Sequence, residues 1–203
     1  MSVLQRLRAT ITAACTIVLM SMLVGCSSKG SVYNDYTLIA VSPTVTTRDG
    51  LPATLGVFPV TVPGWLDKNN IIWSRGGVLL QVSENNHWGE PLPKLLTQAM
   101  VNNLRRQAGS ETWVSAGPWF GNERPEMVVF ADVQSITVVD QQMQVSVAWT
   151  VQGSEKRIIA RQEKVYELPD SGASMQESIS TLSQVWGLVA EDVIAAVAQT
   201  TSV

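Results

Sequence analysis

The sequence of 203 residues predicts an α+β fold, an antiparallel-rich sheet covered by two amphipathic helices. Three observations carry that reading. In Gln142-Met143-Gln144-Val145-Ser146-Val147-Ala148-Trp149-Thr150-Val151, polar and apolar residues alternate for most of the run. Such alternation puts one strand face on a core and the other in water, as in an antiparallel meander. Across residues 91–107, Leu92, Leu95, Leu96, Ala99, Met100 and Leu104 recur at spacings of three and four and form one helical stripe. Near the C-terminus, Met175, Ile179, Leu182, Trp186, Val189, Val193 and Val197 do the same over a longer span, the main cover of the sheet.

The remaining elements follow in chain order. Residues 36–39 read as a short strand. Residues 54–62 read as a second, with Leu55, Val57 and Val60 available for burial and Pro63-Gly64 as punctuation. Residues 71–74 and 77–82 form two short strands around Arg75-Gly76, a hairpin pattern. Residues 87–90 read as a polar turn before the first helix. Arg105 and Arg106 fall in that helix's last turn, where cations suit the negative end, and Gly109 is placed to stop it. Residues 112–116 make another short strand. Residues 127–139, 143–151 and 157–168 are three long β-rich runs, separated by Asp140-Gln141-Gln142 and Gly153-Ser154-Glu155. Ser174-Met175-Gln176-Glu177 is a capping-box pattern that opens the final helix.

Composition removes several classes of chemistry. The chain has one histidine, His87, in Asn85-Asn86-His87-Trp88, read as an exposed loop residue. One histidine supports neither a multi-histidine metal site nor a conventional histidine-based triad. Gly76-Gly77 lacks the third glycine and the helix of a dinucleotide fingerprint. Acidic residues are scattered singly, and Glu84 with Glu90 forms no acid–base pattern. The chain is therefore read as a non-enzyme, with no catalytic residue, no metal and no dissociable cofactor. The seven tryptophans are the unusual feature. Trp149 and Trp186 fall on core-facing patterns. Trp65 follows Pro63-Gly64, and Trp119 lies in Gly117-Pro118-Trp119-Phe120-Gly121; aromatics in such turns either tuck over the core or contact a partner.

The N-terminus predicts export. Arg6 and Arg8 precede an uncharged run from Ala9 to Gly25 that is short for a span of roughly 20 apolar residues and ends on small ones. Leu23-Val24-Gly25-Cys26 then resembles the lipobox of bacterial lipoproteins. By that resemblance Leu23, Val24 and Gly25 are the peptidase recognition residues, and Cys26 carries a covalent diacylglycerol and an N-acyl chain. The alternative is an ordinary signal peptide with an incidental cysteine. The expected organisation is a signal peptide at 1–25, a lipidated cysteine and tether at 26–34, and a periplasmic domain at 35–203. Cys15 and Cys26 are the only cysteines, so the domain itself holds no disulfide. Removal of residues 1–25 takes two basic residues and no acidic one, leaving 12 basic against 17 acidic, a formal −5. That balance argues against nucleic acid as a partner. By the same resemblance to Gram-negative lipoproteins, in which an aspartate at this position gives retention in the inner membrane, Ser27 implies sorting to the outer membrane, with the domain on its periplasmic face.

Between Leu55 and Leu104 the sequence resembles the ABC-type transport auxiliary lipoprotein family, the PqiC/YmbA-like group. The residues that carry the likeness are Gly56-Val57-Phe58-Pro59-Val60-Thr61-Val62-Pro63-Gly64-Trp65-Leu66-Asp67, then Ile71-Ile72-Trp73-Ser74-Arg75, then Trp88-Gly89-Glu90-Pro91-Leu92 opening a helix. Residues 119–125 match no element of the family. The resemblance implies a non-enzymatic, outer-membrane subunit of an intermembrane lipid transport system, docking an MCE-domain protein and assembled as a homo-oligomer. Trp65, Asp67, Trp88 and Trp119 are the partner-contact candidates. Two other readings stay open: an assembly or stability lipoprotein bound to a β-barrel or cell wall, and a lipid carrier with its own cavity.

Overall fold

The computed structural model describes residues 32–41, 50–75, 78–120 and 124–200. The expected signal peptide, Leu23, Val24, Gly25, Cys26 and most of the tether lie outside the described residues. The elements are β1 (Asn34–Tyr36), β2 (Thr54–Val57), β3 (Asn70–Arg75), β4 (Leu79–Trp88), α1 (Leu92–Ala108), β5 (Trp113–Ala116), β6 (Met127–Val139), β7 (Gln142–Gln152), a 3₁₀ turn (Ser154–Lys156), β8 (Ile158–Pro169) and α2 (Met175–Thr200). Among the described residues these strands form one eight-stranded sheet.

The long β-rich runs behave as their alternation predicts. β6, β7 and β8 form an antiparallel meander, with β6 paired to β7 from Val128↔Gln152 to Val139↔Gln142. The turn between β6 and β7 is Asp140-Gln141, both at positive φ, the backbone of a two-residue hairpin loop whose twist matches its strands. The register shifts between Val133 and Ser135. This bulge changes the parity of β6, so that Val133 and Ile136, three apart, are both fully buried.

The other edge of β6 is shared in a way that alternation alone does not reveal. β2 pairs with its start in parallel, Leu55↔Met127 and Val57↔Val129. β3 pairs with its end, Ser74↔Thr137 and Arg75↔Val138, also in parallel. The chain between continues along the strand: Phe58 N donates to the Val129 carbonyl at 2.9 Å, Thr61 N to that of Ala131 at 3.1 Å, and Val133 N to that of Thr61 at 2.9 Å. The strand expected over residues 54–62 is thus regular only to Val57, and Leu55, Val57 and Val60 are buried as expected. β5 adds in parallel to β2, and β1 in parallel to β4. β3 and β4 form the expected antiparallel hairpin. β4, however, runs on to Trp88, so residues 87–88 are strand rather than turn, with His87 paired to Asn70 and Asp35.

Both helices bury their predicted stripes, except that Met175 at the start of α2 is only half-buried. Leu92, Leu95, Leu96, Ala99, Met100 and Leu104 of α1, and Ile179, Leu182, Trp186, Val189, Val193 and Val197 of α2, are all buried. Val185, Ala190 and Ile194 are buried too, because α2 packs on the sheet and on α1 at once. By length and composition α2 would suit a membrane span, but its face is core. Gly109, at φ 74°, ends α1, and the Arg105 guanidinium donates to the Val114 carbonyl at 3.0 and 2.8 Å, tying α1 to β5. The capping box forms in part: Glu177 N donates to Ser174 Oγ at 3.1 Å, while the Glu177 carboxylate accepts from Ser171 Oγ at 2.9 Å. Trp186 Nε1 donates to the Leu96 carbonyl at 2.9 Å and joins the two helices. The segment after β1 crosses both, with Ile39 N donating to Ser183 Oγ and Val41 N to Asn103 Oδ1.

One polar chain holds α2 to the meander. Trp149 Nε1 donates to Tyr166 Oη at 3.1 Å, and that hydroxyl donates to Asp192 Oδ2 at 2.9 Å. Lys164 Nζ reaches the same oxygen at 2.7 Å. Burial above all, then the hydrogen bond to Asp192 and its charge, pushes the Tyr166 phenol well above its ordinary value; the Trp149 N–H opposes the shift. The folded state therefore keeps this proton after the unfolded chain has lost it, and the stability it gives falls as pH rises beyond the unfolded value of about 10. Tyr166→Phe is predicted to lower stability by about 1–2 kcal/mol near neutral pH. The gap between the two proteins should narrow above about pH 10. Urea unfolding of both from about pH 8 to about pH 11 checks this; a constant gap would contradict the assignment.

Candidate docking surface

The two helices occupy one face of the sheet, as the burial pattern of β7 shows. Met143, Val145, Val147, Trp149 and Val151 are buried, and the residues between them are half-buried. The opposite face carries no helix and is aromatic at the β2, β5 and β6 end. Phe58 is 40% exposed and packs on Phe130, with ring centroids 5.1 Å apart. Beside this pair a groove of about 380 Å³ extends over Ala148 and Thr150 to Arg161 and Glu163. At its margin the Thr61 hydroxyl hydrogen-bonds the Asp132 carboxylate. The groove thus has an apolar floor with charges of both signs at one side.

Trp119 is built into this same face. Its Nε1 donates to Ser115 Oγ at 2.9 Å, and its ring lies directly on β2: a Cβ added at Gly56 would stand 2.5 Å from two ring carbons. Gly117 is nearly as close, with its added Cβ 2.8 Å from the ring. Glycine at 56 is therefore what lets the indole lie flat against the backbone of a strand. Trp113 projects from β5 at 70% exposure and Phe120 follows Trp119 at 77%.

The four contact candidates do not gather at one place. Trp65 and Asp67 share the turn after the Thr61 bridge, where the Pro63 carbonyl accepts from Leu66 N at 2.8 Å and Asp67 N at 3.2 Å. Asp67 is exposed, whereas Trp65 is half-buried against the core. Trp119 lies on the open face. Trp88 is 3% exposed and meets Trp73 edge-on at a centroid distance of 6.5 Å. Its expected contact role is thus corrected: it closes the core where β4 ends, because β4 is longer than the polar run Asn85-Asn86 suggests. Phe58, Phe130 and Trp113 were missed as surface aromatics. Their signal was present for Phe58, since Leu55 and Val57 face inward and the next residue points outward. His87 is half-exposed and stacks on Tyr33 at 5.2 Å.

The fold is an α+β domain with both helices on one side of the sheet and an aromatic face left uncovered on the other. The sequence profile described as "ABC-type transport auxiliary lipoprotein component" matches residues 36–194, and the chain belongs to that family. The resemblance drawn from residues 55–104 is thereby borne out. Over 108 residues the chain is 33% identical to the intermembrane transport lipoprotein PqiC of Escherichia coli (strain K12) and to that of Shigella flexneri. The match covers 53% of this chain and 57% of theirs, so the chain spans little more than half the length of these relatives. Two crystal structures share the fold. One, of an uncharacterized protein, has a TM-score of 0.65 and 21% identity over 80% of this chain and 96% of its own. The other, of protein XCC0632 from Xanthomonas campestris, has a TM-score of 0.61 and 14% identity over 84% and 96%.

The contact of Trp119 with Gly56 gives a direct test. Gly56→Ala is predicted to cost about 1–3 kcal/mol, because the added methyl displaces the indole. In a Trp119→Ala background the part of that cost due to the ring should disappear, leaving the contact with Pro125, 2.8 Å from the same Cβ, and a double-mutant cycle by chemical denaturation measures it. Additive effects would mean that the ring does not depend on the glycine.

Proposed function

We propose that this protein is an outer-membrane-anchored lipoprotein subunit of an MCE-type intermembrane lipid transport system, which docks the periplasmic conduit and takes no part in covalent chemistry. The lipid on Cys26 holds the domain at the periplasmic face of the outer membrane, in keeping with Ser27. Three acyl chains, each contributing about 0.8 kcal/mol per buried methylene, make such an anchor effectively permanent. Membership of the transport auxiliary family and likeness to proteins named intermembrane transport lipoproteins support the system.

The observation that carries the docking reading is the uncovered aromatic face on a domain whose interior is filled. Between sheet and helices, Leu55, Met100, Leu104, Met143 and Trp186 are fully buried. An acyl chain placed there would have to displace them, and loss of a large core side chain costs about 2–5 kcal/mol. The filled interior therefore favours a platform over a carrier with its own cavity. Phe58, Phe130 and Trp119 offer a partner rigid apolar area at little conformational cost. Self-association into a homo-oligomer repeats this surface around a multimeric partner.

A photoreactive residue in place of Phe58, in the intact protein in cells, is predicted to capture an MCE-domain protein. The same residue in place of Gln184, on the exposed side of α2, should not. The detergent-extracted protein should have the mass of a multimer. Capture of only a barrel or cell-wall component from position 58 would replace this reading with the assembly or stability role.

A further inference from the structure

The β3–β4 hairpin ends in an apolar prong that serves no core. Val78 is 91% exposed, Leu79 67%, Leu80 44% and Val82 52%. Successive strand residues point to opposite faces, so Leu79 and Leu80 are exposed on both sides of the ribbon. Here β4 is also an edge: among the described residues, positions 79–82 pair only with β3, and β1 joins further on at Asn86, His87 and Trp88. Exposed apolar edge strands invite aggregation, and folded proteins blunt them with charge, proline or a cover. The prong, from Val78 to Val82, has neither charge nor proline. Further along the same strand the composition turns polar, Ser83, Glu84, Asn85, Asn86 and His87. The apolar character is confined to the tip.

The direction of β1 shows what lies near that tip. β1 is parallel to β4, with Asn34 level with Asn86 and Tyr36 level with Trp88. Asn34 Nδ2 donates to Asn86 Oδ1 at 3.2 Å and Gly89 N donates to the Tyr36 carbonyl at 2.8 Å, which fixes the register. The domain's chain therefore enters from the hairpin side of the sheet. From Asn34 back to Cys26 there are eight residues, a reach of at most roughly 28 Å. From Asn86 back to Val78 there are also eight, at about 3.3 Å each, or roughly 26 Å. The acyl anchor can thus lie level with the prong and hardly beyond it.

We infer that Val78, Leu79 and Leu80 form a second membrane contact, dipping into the lipid surface that holds the acylated Cys26 and setting the orientation of the domain upon it. This rests on the anchoring reading given above. A bilayer interface is the cover the prong lacks: it receives apolar side chains from both faces of a ribbon, whereas a docked protein strand would engage one edge. Two attachments also do what one tether cannot, since a flexible linker restricts distance but not orientation.

The mature chain offers a clean test, because Cys26 is its only cysteine and lipidation consumes it. In the intact lipoprotein, Leu79→Cys labelled with an environment-sensitive fluorophore is placed in vesicles of phosphatidylethanolamine and phosphatidylglycerol. The label should shift to the blue and be quenched by spin-labelled lipid. The same label at Glu163→Cys, on the open sheet face, should remain in water. Intact mass and vesicle flotation report acylation separately. A floating, acylated protein whose Leu79 label stays in water overturns the inference, as does a shielded label that spin-labelled lipid does not quench, which would mean a protein cover. An unacylated chain whose label still enters the bilayer would overturn the anchor and leave the prong. An unacylated chain with its label in water would overturn both.

Discussion

Everything in this domain is referred to one strand, β6. An interior strand must satisfy its backbone groups on both sides, and the thirteen-residue β6 is paired on both sides along most of its length. One side is satisfied by a single partner, β7. The other is satisfied piecewise by β2, by the extended segment through Thr61, and by β3. Because those pieces come from one continuous stretch of chain, residues 62–69 have to leave the sheet and return. That excursion is the turn bearing Trp65 and Asp67. The same arrangement places β5 and Trp119 at one end of the sheet and the β3–β4 hairpin at the other.

The helices follow from this frame. β6 and β7 present a single apolar face, and the bulge at Gln134 keeps that face continuous where strict alternation would have broken it. α2 covers the meander and α1 the β2–β5 end. With both helices spent on one face, the other is left to side chains alone. Trp119 covers part of it at Gly56, and Phe58 and Phe130 remain open. The proposed docking surface is thus the complement of the core, produced by the same choice of which face to bury.

Much of this was legible in the sequence, and the limits are physical. Helix stripes and the meander are local periodicities, so α1 and β6 to β8 appear with boundaries within a residue or two of those observed, and α2 within three. The Ser174 cap and the Gly109 stop are local chemistry and were equally visible. The parallel pairings of β2 and β3 with β6 are contacts between residues some seventy positions apart, and no local pattern encodes them. The end of β4 was misread for another reason. Asn85-Asn86-His87 has turn composition, but it lies at a sheet edge where polar side chains face water, and pairing with Asp35 and Asn70 keeps it extended. Trp88 went with it, from apparent contact residue to core. Among the surface aromatics, only those in proline- and glycine-rich turns attract attention; Phe58 and Phe130 are ordinary strand residues until the face they occupy is known.

As proposed above, this domain is a lipid-anchored platform for a periplasmic conduit. The most direct test is affinity capture of the lipidated protein from cross-linked cell envelopes, with its partners identified by mass spectrometry. An MCE-domain protein is expected among the captured partners. Recovery of barrel or cell-wall components alone, from envelopes that contain MCE-domain proteins, would contradict it.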